Sequence, residues 1–261
     1  MHLVFMAHPK RPNAWKVRDR ALKIAEGKGF VCSLIDGMSS ELPSGADVIV
    51  VIGGDGSLIR ASHLACRYDI PLLGIHCGRV GFLTELTEET FPDALDRLKE
   101  GRYAQKVRSM LDVCVNSGQA RPCLNDVFVY KHSFSGVTQL DLSVDRNSVG
   151  TLYGDGVVVA SSTGATGYSL SAGGPIVAEG LDAILITPIC PHTLQMRPIV
   201  ASIGSTVTVK VSENCFVAAD GDKICKLKKG DVLTVSRSEY RTRILSFGEH
   251  NPFRLLTEKL S

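Results

Sequence analysis

Short apolar segments alternate with amphipathic ones over the first hundred residues. Four apolar runs predict β-strands at His2–Ala7, Phe30–Ile35, Asp47–Ile52 and Ile70–Ile75. Polar-faced stretches between and after them predict helices at Lys16–Lys28, Leu58–Tyr68 and Thr87–Gly101. The third strand is apolar on both faces, as in a parallel sheet that helices cover. We therefore expect residues 1–101 to form an open, Rossmann-like α/β domain.

After Gly101 the pattern changes to short, β-branched and often alternating segments separated by turn residues. The predicted strands lie within Ser109–Asn116, Pro122–Lys131, Thr138–Arg146, Gly154–Ser162, Ala183–Ile189, Thr206–Ser212 and Asp231–Arg237. The predicted turns include "NSGQ" (116–119), "RNSVG" (146–150) and "KKGD" (228–231). This pattern predicts an all-β domain, a β-sandwich, over 102–248. Residues 249–261 return to a helical pattern, with Asn251 as cap and Pro252 at the first helical position, and this helix is expected to pack on the first domain.

Composition narrows the class of protein. The 261 residues carry a formal net charge of +2, with both signs well mixed and no basic stripe, so nucleic acid is not an expected partner. No apolar run approaches the length of a membrane span, and the first residues do not follow the pattern of a signal peptide. The eight cysteines are scattered without a Cys-x-x-Cys pair, which favours reduced thiols over disulfides or zinc ligands. We expect a cytoplasmic protein with no membrane partner.

The stretch "VVIGGDGSLIRA" (50–61) joins a predicted strand to a predicted helix through a glycine-rich turn. Ser57 is the expected N-cap of a helix that starts at Leu58, which puts exposed N–H groups and the positive end of the helix dipole at the turn. Ligands bind at such carboxyl ends of strands in α/β sheets. The alternative is a tight turn without a ligand. The consecutive glycines Gly53 and Gly54 favour close approach of the backbone to a phosphate.

Asp55 lies in the middle of this turn, where its charge would repel a phosphate. The carboxylate fits there if it takes a proton from an attacking hydroxyl or engages Mg²⁺. Arg60, one turn into the helix, supplies positive charge for a phosphate chain. The hypothesis is that an acceptor hydroxyl and a phosphate chain meet at this turn.

A second ligand loop is predicted within Gly154–Pro175, where small residues with hydroxyls and free amides surround one tyrosine, Tyr168. Such a loop can wrap a flat polar ligand, and the tyrosine can stack on a base; a flexible linker is the alternative. Asn125 and Asp126 interrupt a β pattern, as an ordinary turn also would. "HCGRVGFLT" (76–84) is another glycine-rich turn after a strand and is expected in the same crevice as the first.

Taken together, these motifs resemble the NAD kinase family. The resemblance rests on five motifs in order: "GGDGS" (53–57), "GRVGFLT" (78–84), "LND" (124–126), "DGVVVASSTGATGYSLSAGGPI" (155–176) and "ITPICPHTLQMRPIV" (186–200). "GGDG" alone is shared with diacylglycerol kinases, sphingosine kinases and relatives of phosphofructokinase, whereas the last two motifs are far more specific. The resemblance covers nearly the whole chain.

The resemblance implies phosphoryl transfer from ATP, or from polyphosphate in some members, to the 2′-hydroxyl of the adenosine ribose of NAD, giving NADP. It implies an α/β domain followed by a β-sandwich domain, with a terminal helix returning to the first. It also implies a cytoplasmic homo-oligomer, a dimer or tetramer, that needs a divalent metal ion. Mg²⁺ is expected, held through the phosphates and possibly Asp55 rather than by a dedicated protein cage; a tightly bound zinc or flavin is not expected.

The resemblance also assigns site residues. Asp55 takes the place of the proton acceptor, and the phosphate-binding residues are Gly53, Gly54, Ser57 and Arg60. Asn125 and Asp126 match the pair that holds ribose hydroxyls, and Asp155 matches an acidic residue near the nicotinamide. The remaining residues implied to bind NAD are Gly56, Phe82, Thr163, Thr166, Gly167, Tyr168, Ser169, Leu170 and Ser171.

Several positions depart from the family pattern. Asn125-Asp126 stands where Asn-Glu is frequent, which keeps the charge with a shorter reach. The other departures are His76 for asparagine, Tyr153 for a basic residue, Ser162 for proline, Ala165 for serine or threonine, Gly167 for alanine and Asp222 for an amide. None removes Asp55 or the second loop, so activity stays the prediction, and selectivity between NAD and NADH does not follow.

Three other functions fit the sequence less well than an NAD kinase does. A lipid kinase would need an apolar mouth for an acyl chain, which the polar loop at 162–171 argues against. A sugar kinase related to phosphofructokinase would need a basic cluster for a sugar phosphate, which the sequence does not show. An NAD-sensing module without activity would keep the binding loop and lose Asp55, which is present.

Overall fold

The computed structural model describes residues 1–36, 41–78, 81–133, 136–178, 180–193 and 195–248. The chain divides into two compact units. The first comprises Met1–Arg108 and the segment that begins at Arg241, and the second is Ser109–Tyr240. The boundary between the units, after Arg108, falls later in the chain than Gly101, where the sequence pattern changes. It lies within one long strand, Ala104–Val115. The predicted helix at 249–261 lies outside the described residues.

The first unit is a parallel sheet with helices. Its elements are β1 (His2–Ala7), α1 (Pro12–Gly27), β2 (Val31–Ile35), β3 (Val48–Gly53), α2 (Asp55–Tyr68), β4 (Leu72–His76) and α3 (Phe91–Lys99). The four strands lie in the order β2-β1-β3-β4, and all the pairings are parallel. One side of the sheet packs Phe5 and Val50 against α1 and α3. Phe91, the first residue of α3, is fully buried in the same apolar cluster. The predicted α/β organisation is confirmed.

The second unit is built of antiparallel strands. Its elements are β5 (Ala104–Val115), β6 (Arg121–Cys123), β7 (Asp126–Lys131), β8 (Thr138–Val144), β9 (Asn147–Gly154), β10 (Gly156–Ser161), a 3₁₀ turn (Thr163–Thr166), α4 (Tyr168–Ser171), β11 (Ala183–Ile189), β12 (Ile199–Ser202), β13 (Val207–Val211), β14 (Cys215–Ala219), β15 (Asp222–Leu227) and β16 (Val232–Ser246). Strands β5 and β16 contain residues of both units.

Two sheets enclose the core of the second unit. One has the order β12-β11-β10-β7-β14-β15, and the other includes β16-β13-β8-β9. Alternate residues such as Val127 and Val129 on β7 point inward and meet Leu140 and Leu142 of β8 in one apolar cluster. This alternation is what a sandwich requires, since each sheet buries one face. The predicted sheet-rich second domain is confirmed.

Two local predictions differ from the structure in position. Helix α2 begins at Asp55 with Gly54 at the N-cap, so Ser57 is inside the first turn and is not the cap. The turn predicted at "RNSVG" lies earlier: the chain reverses at Asp145–Arg146, both of which have positive φ, and Asn147–Gly154 form β9. No helix within the described residues is both long and apolar enough to cross a lipid bilayer.

Candidate active site

The glycine turn of the first unit is closed tightly around the start of α2. The backbone N–H groups of Ser57 and Leu58 both donate to the Gly54 carbonyl, at 2.9 and 3.3 Å. A Cβ on Gly53 would lie 2.2 Å from Ser57 Oγ, so glycine is required there. Gly56 is exposed, and Arg60 is exposed one turn further along the helix. The turn therefore presents the N-terminal end of a fourteen-residue helix, which favours an anion.

The Asp55 carboxylate is held by the loop that follows β4. Its Oδ2 accepts a hydrogen bond from Phe82 N at 2.7 Å. Its Oδ1 accepts from Leu83 N at 3.0 Å, Thr84 N at 3.2 Å and Thr84 Oγ1 at 3.3 Å. A Cβ on Gly81 would lie 1.9 Å from Oδ1, so the loop can approach the Asp55 carboxylate this closely only with glycine at position 81. The resemblance implied that Phe82 binds NAD, and here its backbone N–H anchors Asp55.

Two buried polar side chains near this turn are unsatisfied. Ser57 Oγ and both ring nitrogens of His76 are shielded from solvent and have no hydrogen-bond partner among the described residues. His76 pairs in the sheet with Gly53, which places it next to the turn. Buried polar atoms normally find a partner, and a bound molecule is one way to supply it. His76 carried no role in the sequence prediction.

Positive charge surrounds the carboxyl end of β1, beside the same turn. The His8 N–H donates to the Ile52 carbonyl at 3.0 Å, which ties this end of β1 to β3. Partial burial lowers the pKa of His8, and the nearby guanidinium groups of Arg11 and Arg60 lower it further. These cations belong to the same edge of the sheet as Gly53, so the surroundings favour an anionic ligand.

In the second unit, Asn125 and Asp126 lie against the small-residue loop. A Cβ on Gly167 would be 3.1 Å from Asn125 Nδ2 and 3.4 Å from Asp126 Oδ2. A Cβ on Gly164 would be 2.1 Å from the Asn125 carbonyl oxygen. The backbone N–H of Tyr168 donates to the Asp126 carboxylate. The two glycines therefore allow the loop to approach the pair, and the structure brings these predicted residues together.

Asp220 holds this pair in place and was missed by the sequence prediction. Its carboxylate accepts hydrogen bonds from the backbone N–H groups of Leu124, Asn125 and Asp126 at 2.8, 2.7 and 3.3 Å. Burial, with the Asp220 charge second, raises the pKa of Asp126 to about 6. The signal for Asp220 in the sequence is the "ADGD" segment (219–222), in which only Asp222 departs from the family pattern.

The remaining loop residues divide into exposed and buried ones. Tyr168 is 43% exposed and packs at a steep angle against Phe128, with ring centroids 5.0 Å apart, so part of its side chain is open to a ligand. Thr163, Thr166 and Leu170 are half-buried and Ser171 is exposed. Ser169 is fully buried, and its hydroxyl bonds Thr187 Oγ1 at 2.8 Å. The assignment of Ser169 to NAD stays a prediction, and its buried side chain leaves only its backbone for such a contact.

Asp155 forms an ion pair in the second unit. Its carboxylate lies 2.5 Å from Lys131 Nζ, and both side chains are partly exposed. The glycines on either side are required by close strands, since a Cβ on Gly156 would be 2.1 Å from the Val129 carbonyl oxygen. Tyr153, where the family frequently has a basic residue, is 41% exposed. A cation therefore stands beside Asp155, supplied by Lys131.

Comparison with family profiles finds two matches. Residues 5–103 match the ATP-NAD kinase N-terminal domain, and residues 124–247 match the ATP-NAD kinase C-terminal domain. The chain is 40% identical over 227 residues to the NAD kinase of Geotalea daltonii, covering 84% of this chain and 80% of that protein. It is 37% identical over 244 residues to the NAD kinase of Natranaerobius thermophilus, covering 90% and 85%.

Two solved structures share the fold. Yeast NADH kinase in complex with NADH has a TM-score of 0.88 at 22% identity, covering 100% of this chain and 87% of that one. An NAD kinase from Archaeoglobus fulgidus in complex with ATP has a TM-score of 0.80 at 27% identity, covering 99% and 98%.

These matches first define the class: the protein is an enzyme, a phosphotransferase built from an α/β unit and a sheet-rich unit. More narrowly, the chain belongs to the NAD kinase family.

Proposed function

We propose that this enzyme transfers the terminal phosphoryl group of ATP to the 2′-hydroxyl of the adenosine ribose of NAD, with Asp55 as the proton acceptor. The observation that carries the role of Asp55 is its hydrogen bonding. Oδ1 has three donors, whereas Oδ2 has only that of Phe82 N among the described residues, which leaves Oδ2 with capacity to accept a hydroxyl proton. The loop holds the carboxylate in one orientation, as general-base catalysis requires.

The two sets of residues have different tasks. In the first unit, the α2 N-terminus with Gly53, Gly54, Ser57 and Arg60 binds phosphate oxygens. In the second unit, Asn125 and Asp126 bind ribose hydroxyls, and Tyr168 stacks on adenine. Support comes from the orphaned Ser57 hydroxyl and from the exposed part of the Tyr168 side chain.

A divalent ion fits this arrangement only as a companion of the nucleotide. Within the described residues, no three His, Cys, Asp or Glu side chains are grouped so that they could hold a metal. Mg²⁺ is commonly bound by one or two carboxylates together with substrate phosphates, and Asp55 is the carboxylate at the turn. When bound, Mg²⁺ neutralises charge on the transferring phosphoryl group.

We propose further that the enzyme is a cytoplasmic homo-oligomer, a dimer or a tetramer. Support for the cytoplasm comes from the eight cysteines, which are all free thiols, as in a reducing compartment. Support for the oligomer comes from the family resemblance. Size-exclusion chromatography with light scattering tests it, and a monomer at micromolar concentration would contradict it.

The first experiment measures NADP formation from Mg²⁺-ATP and NAD through a coupled NADP-specific dehydrogenase. The wild-type enzyme is expected to form NADP. Asp55→Asn is expected to lose about 2–5 kcal/mol of transition-state stabilisation, the usual contribution of a general base. Polyphosphate replaces ATP in a parallel assay to identify the donor. Full turnover by Asp55→Asn would exclude the base assignment.

Because Asp55 also anchors a loop, a matched variant is needed. Thr84→Val removes the hydroxyl that donates to Asp55 Oδ1 and keeps the carboxylate and the backbone donors. It is expected to stay within about tenfold of wild-type turnover, the cost of one hydrogen bond. A loss as large as that of Asp55→Asn would mean that the anchoring of the loop, rather than proton transfer, explains the effect.

A further inference from the structure

Asp220 lies in the turn between β14 and β15, and its carboxylate contacts residues outside that turn. Asp220 and Gly221 have φ of +49° and +82°, and Ala219 pairs with Asp222 across them. An Asp-Gly pair suits such a two-residue hairpin for backbone reasons alone. The Asp220 side chain, however, leaves its own hairpin and contacts a segment nearly one hundred residues earlier in the chain.

That segment is the link between β6 and β7, and it binds Asp220 through successive donors. Oδ2 accepts from Leu124 N, and Oδ1 accepts from the N–H groups of Asn125 and Asp126. Oδ1 also lies 3.1 Å from the thiol of Cys123, which is fully buried. In return, the Asp220 N–H donates to the Asp126 carbonyl at 2.9 Å. Successive N–H groups around one anion form a nest, which fixes the backbone conformation.

The same contact places a second negative charge beside Asp126. The groups that face the Asp126 carboxyl are the Asp220 carboxylate from the β14–β15 turn and the Tyr168 N–H from α4, with the Cys123 thiol close by. A like charge disfavours ionisation, and an N–H donor favours it. An ionised Asp126 accepts hydrogen bonds from both hydroxyls of a ribose, whereas a protonated one has lost acceptor capacity.

We infer that Asp220 is a positioning residue: its carboxylate orients Asn125 and Asp126 toward the ribose hydroxyls, and its charge raises the pH at which Asp126 becomes a full acceptor. This rests on the proposed role of Asn125 and Asp126 in holding the ribose. It predicts that the KM for NAD falls as the pH rises through about 6, because the pKa of Asp126 is raised to about 6.

The test compares wild type with Asp220→Asn over pH 5–8. The amide keeps one acceptor oxygen but turns its NH₂ group toward the backbone donors, so the KM for NAD is expected to rise about fivefold to fiftyfold at pH 7.5. With the neighbouring charge gone, the pH at which KM changes is expected to move down by about 0.5–1 unit. A purely structural role would weaken activity at every pH without moving this inflection.

Asp222→Asn is the matched control, since it neutralises an exposed carboxylate in the same hairpin. For Asp222→Asn, the KM for NAD is expected to change at the same pH as in wild type. If Asp220→Asn and Asp222→Asn share the wild-type inflection, the electrostatic role of Asp220 is excluded. If Asp220→Asn does not fold, Asp220→Glu keeps the charge and changes the reach. A wild-type KM in that variant would exclude the positioning role.

A second measurement does not depend on turnover. The Asp126 carboxyl carbon is followed by NMR titration, assigned by its disappearance in Asp126→Asn. Its pKa is expected to be lower in Asp220→Asn than in wild type, and an unchanged value would overturn the inference. If the wild-type enzyme forms no NADP while this titration still responds to Asp220, the proposed function fails and the coupling of the two carboxyls stands.

Discussion

Asp55 and Asp126 are the two carboxyl groups with a proposed role in catalysis or ribose binding, and the hydrogen bonds and charges around them differ. Asp55 begins a helix and receives four hydrogen bonds from the loop that ends at Thr84. Asp126 receives the Tyr168 N–H and faces the carboxylate of Asp220. Donors favour an ionised carboxylate, whereas burial beside a like charge disfavours it. The charge of Asp126 therefore depends on pH near neutrality, because its pKa is raised to about 6.

The burial of Asp126 beside Asp220 lowers the stability of the folded protein by an amount that can be measured. The folded protein raises the pKa of Asp126 from 3.8 to about 6, so between these values the folded state holds a proton that the unfolded state releases. The free energy of unfolding therefore falls as pH rises through this range and stays lower above it. Asp126→Asn removes the penalty and is expected to stabilise the protein by about 1–3 kcal/mol at pH 7.5.

Urea denaturation at pH 7.5 and pH 5 checks this expectation. The gain from Asp126→Asn is expected to shrink at pH 5, where wild-type Asp126 is mostly protonated in the folded state. Asp222→Asn, which neutralises an exposed carboxylate nearby, serves as the control and is expected to show no such pH dependence. Equal stability of Asp126→Asn and wild type at pH 7.5 would contradict the raised pKa. The same variant is expected to bind NAD more weakly.

At the scale of elements, apolar patterning predicted strands best where both faces are covered. β1 and β11 begin and end at the predicted residues, since every position in them except His2 is buried and polar residues or turns flank them. The strand β9 was missed because its residues Asn147–Gly154 are mostly polar or small and lie at a sheet edge. The residue types of "RNSVG" are typical of turns, but only Arg146 lies in the turn, and the other four residues belong to β9.

The candidate site was predictable in its residues and less so in its contacts. The glycine turn and the loop around Tyr168 were singled out from local motifs, whereas the role of Asn125 and Asp126 came from the family resemblance, because an ordinary turn has the same residue types. The contacts of Asp55 with Leu83 and Thr84, and of Asp220 with Asn125, join segments far apart in the chain. No local pattern encodes which backbone donor will satisfy a carboxylate after the chain has folded.

The junction between the β4 loop and helix α2 is sensitive to one methyl group. Gly81→Ala would put a Cβ 1.9 Å from Asp55 Oδ1 and 2.5 Å from Thr84 Oγ1, so the loop must move. The variant is expected to lose about 1–3 kcal/mol of stability, as overpacking does, and to lose turnover through misplacement of Asp55. Gly78→Ala is the control from the same loop, because a Cβ there meets nothing within 4 Å.

Thermal unfolding and the coupled assay measure both variants. Gly78→Ala is expected to unfold within about 0.5 kcal/mol of wild type, as most surface substitutions do. If Gly81→Ala matched Gly78→Ala in both stability and turnover, the close approach of the loop to Asp55 would be unimportant. That outcome would also remove the main structural support for a fixed orientation of the Asp55 carboxylate.

At the scale of the whole molecule, each unit has its own apolar core and its own set of candidate ligand contacts. Phosphate contacts are assigned to the first unit, and ribose and adenine contacts to the second. Strands β5 and β16 carry the chain between them, so both units derive part of a strand from the same segments. This division of tasks makes the two substrates separable by their effects on stability.

A ligand that binds only the folded protein stabilises it by an amount set by its concentration and affinity. At one hundred times its Kd, NAD is expected to stabilise the wild type by about 2.7 kcal/mol. Asn125→Ala is expected to remove the proposed ribose hydrogen bonds and to weaken NAD binding at least tenfold, which would reduce the stabilisation to about 1.4 kcal/mol or less at the same concentration. The stabilisation by Mg²⁺-ATP is expected to stay unchanged in that variant, because we propose that the first unit binds its phosphates. Thermal unfolding of Asn125→Ala with each ligand tests this expectation. If the variant lost the stabilisation by both NAD and Mg²⁺-ATP, the ribose contacts in the second unit would also serve ATP. If it kept the full stabilisation by NAD, Asn125 would not belong to the site.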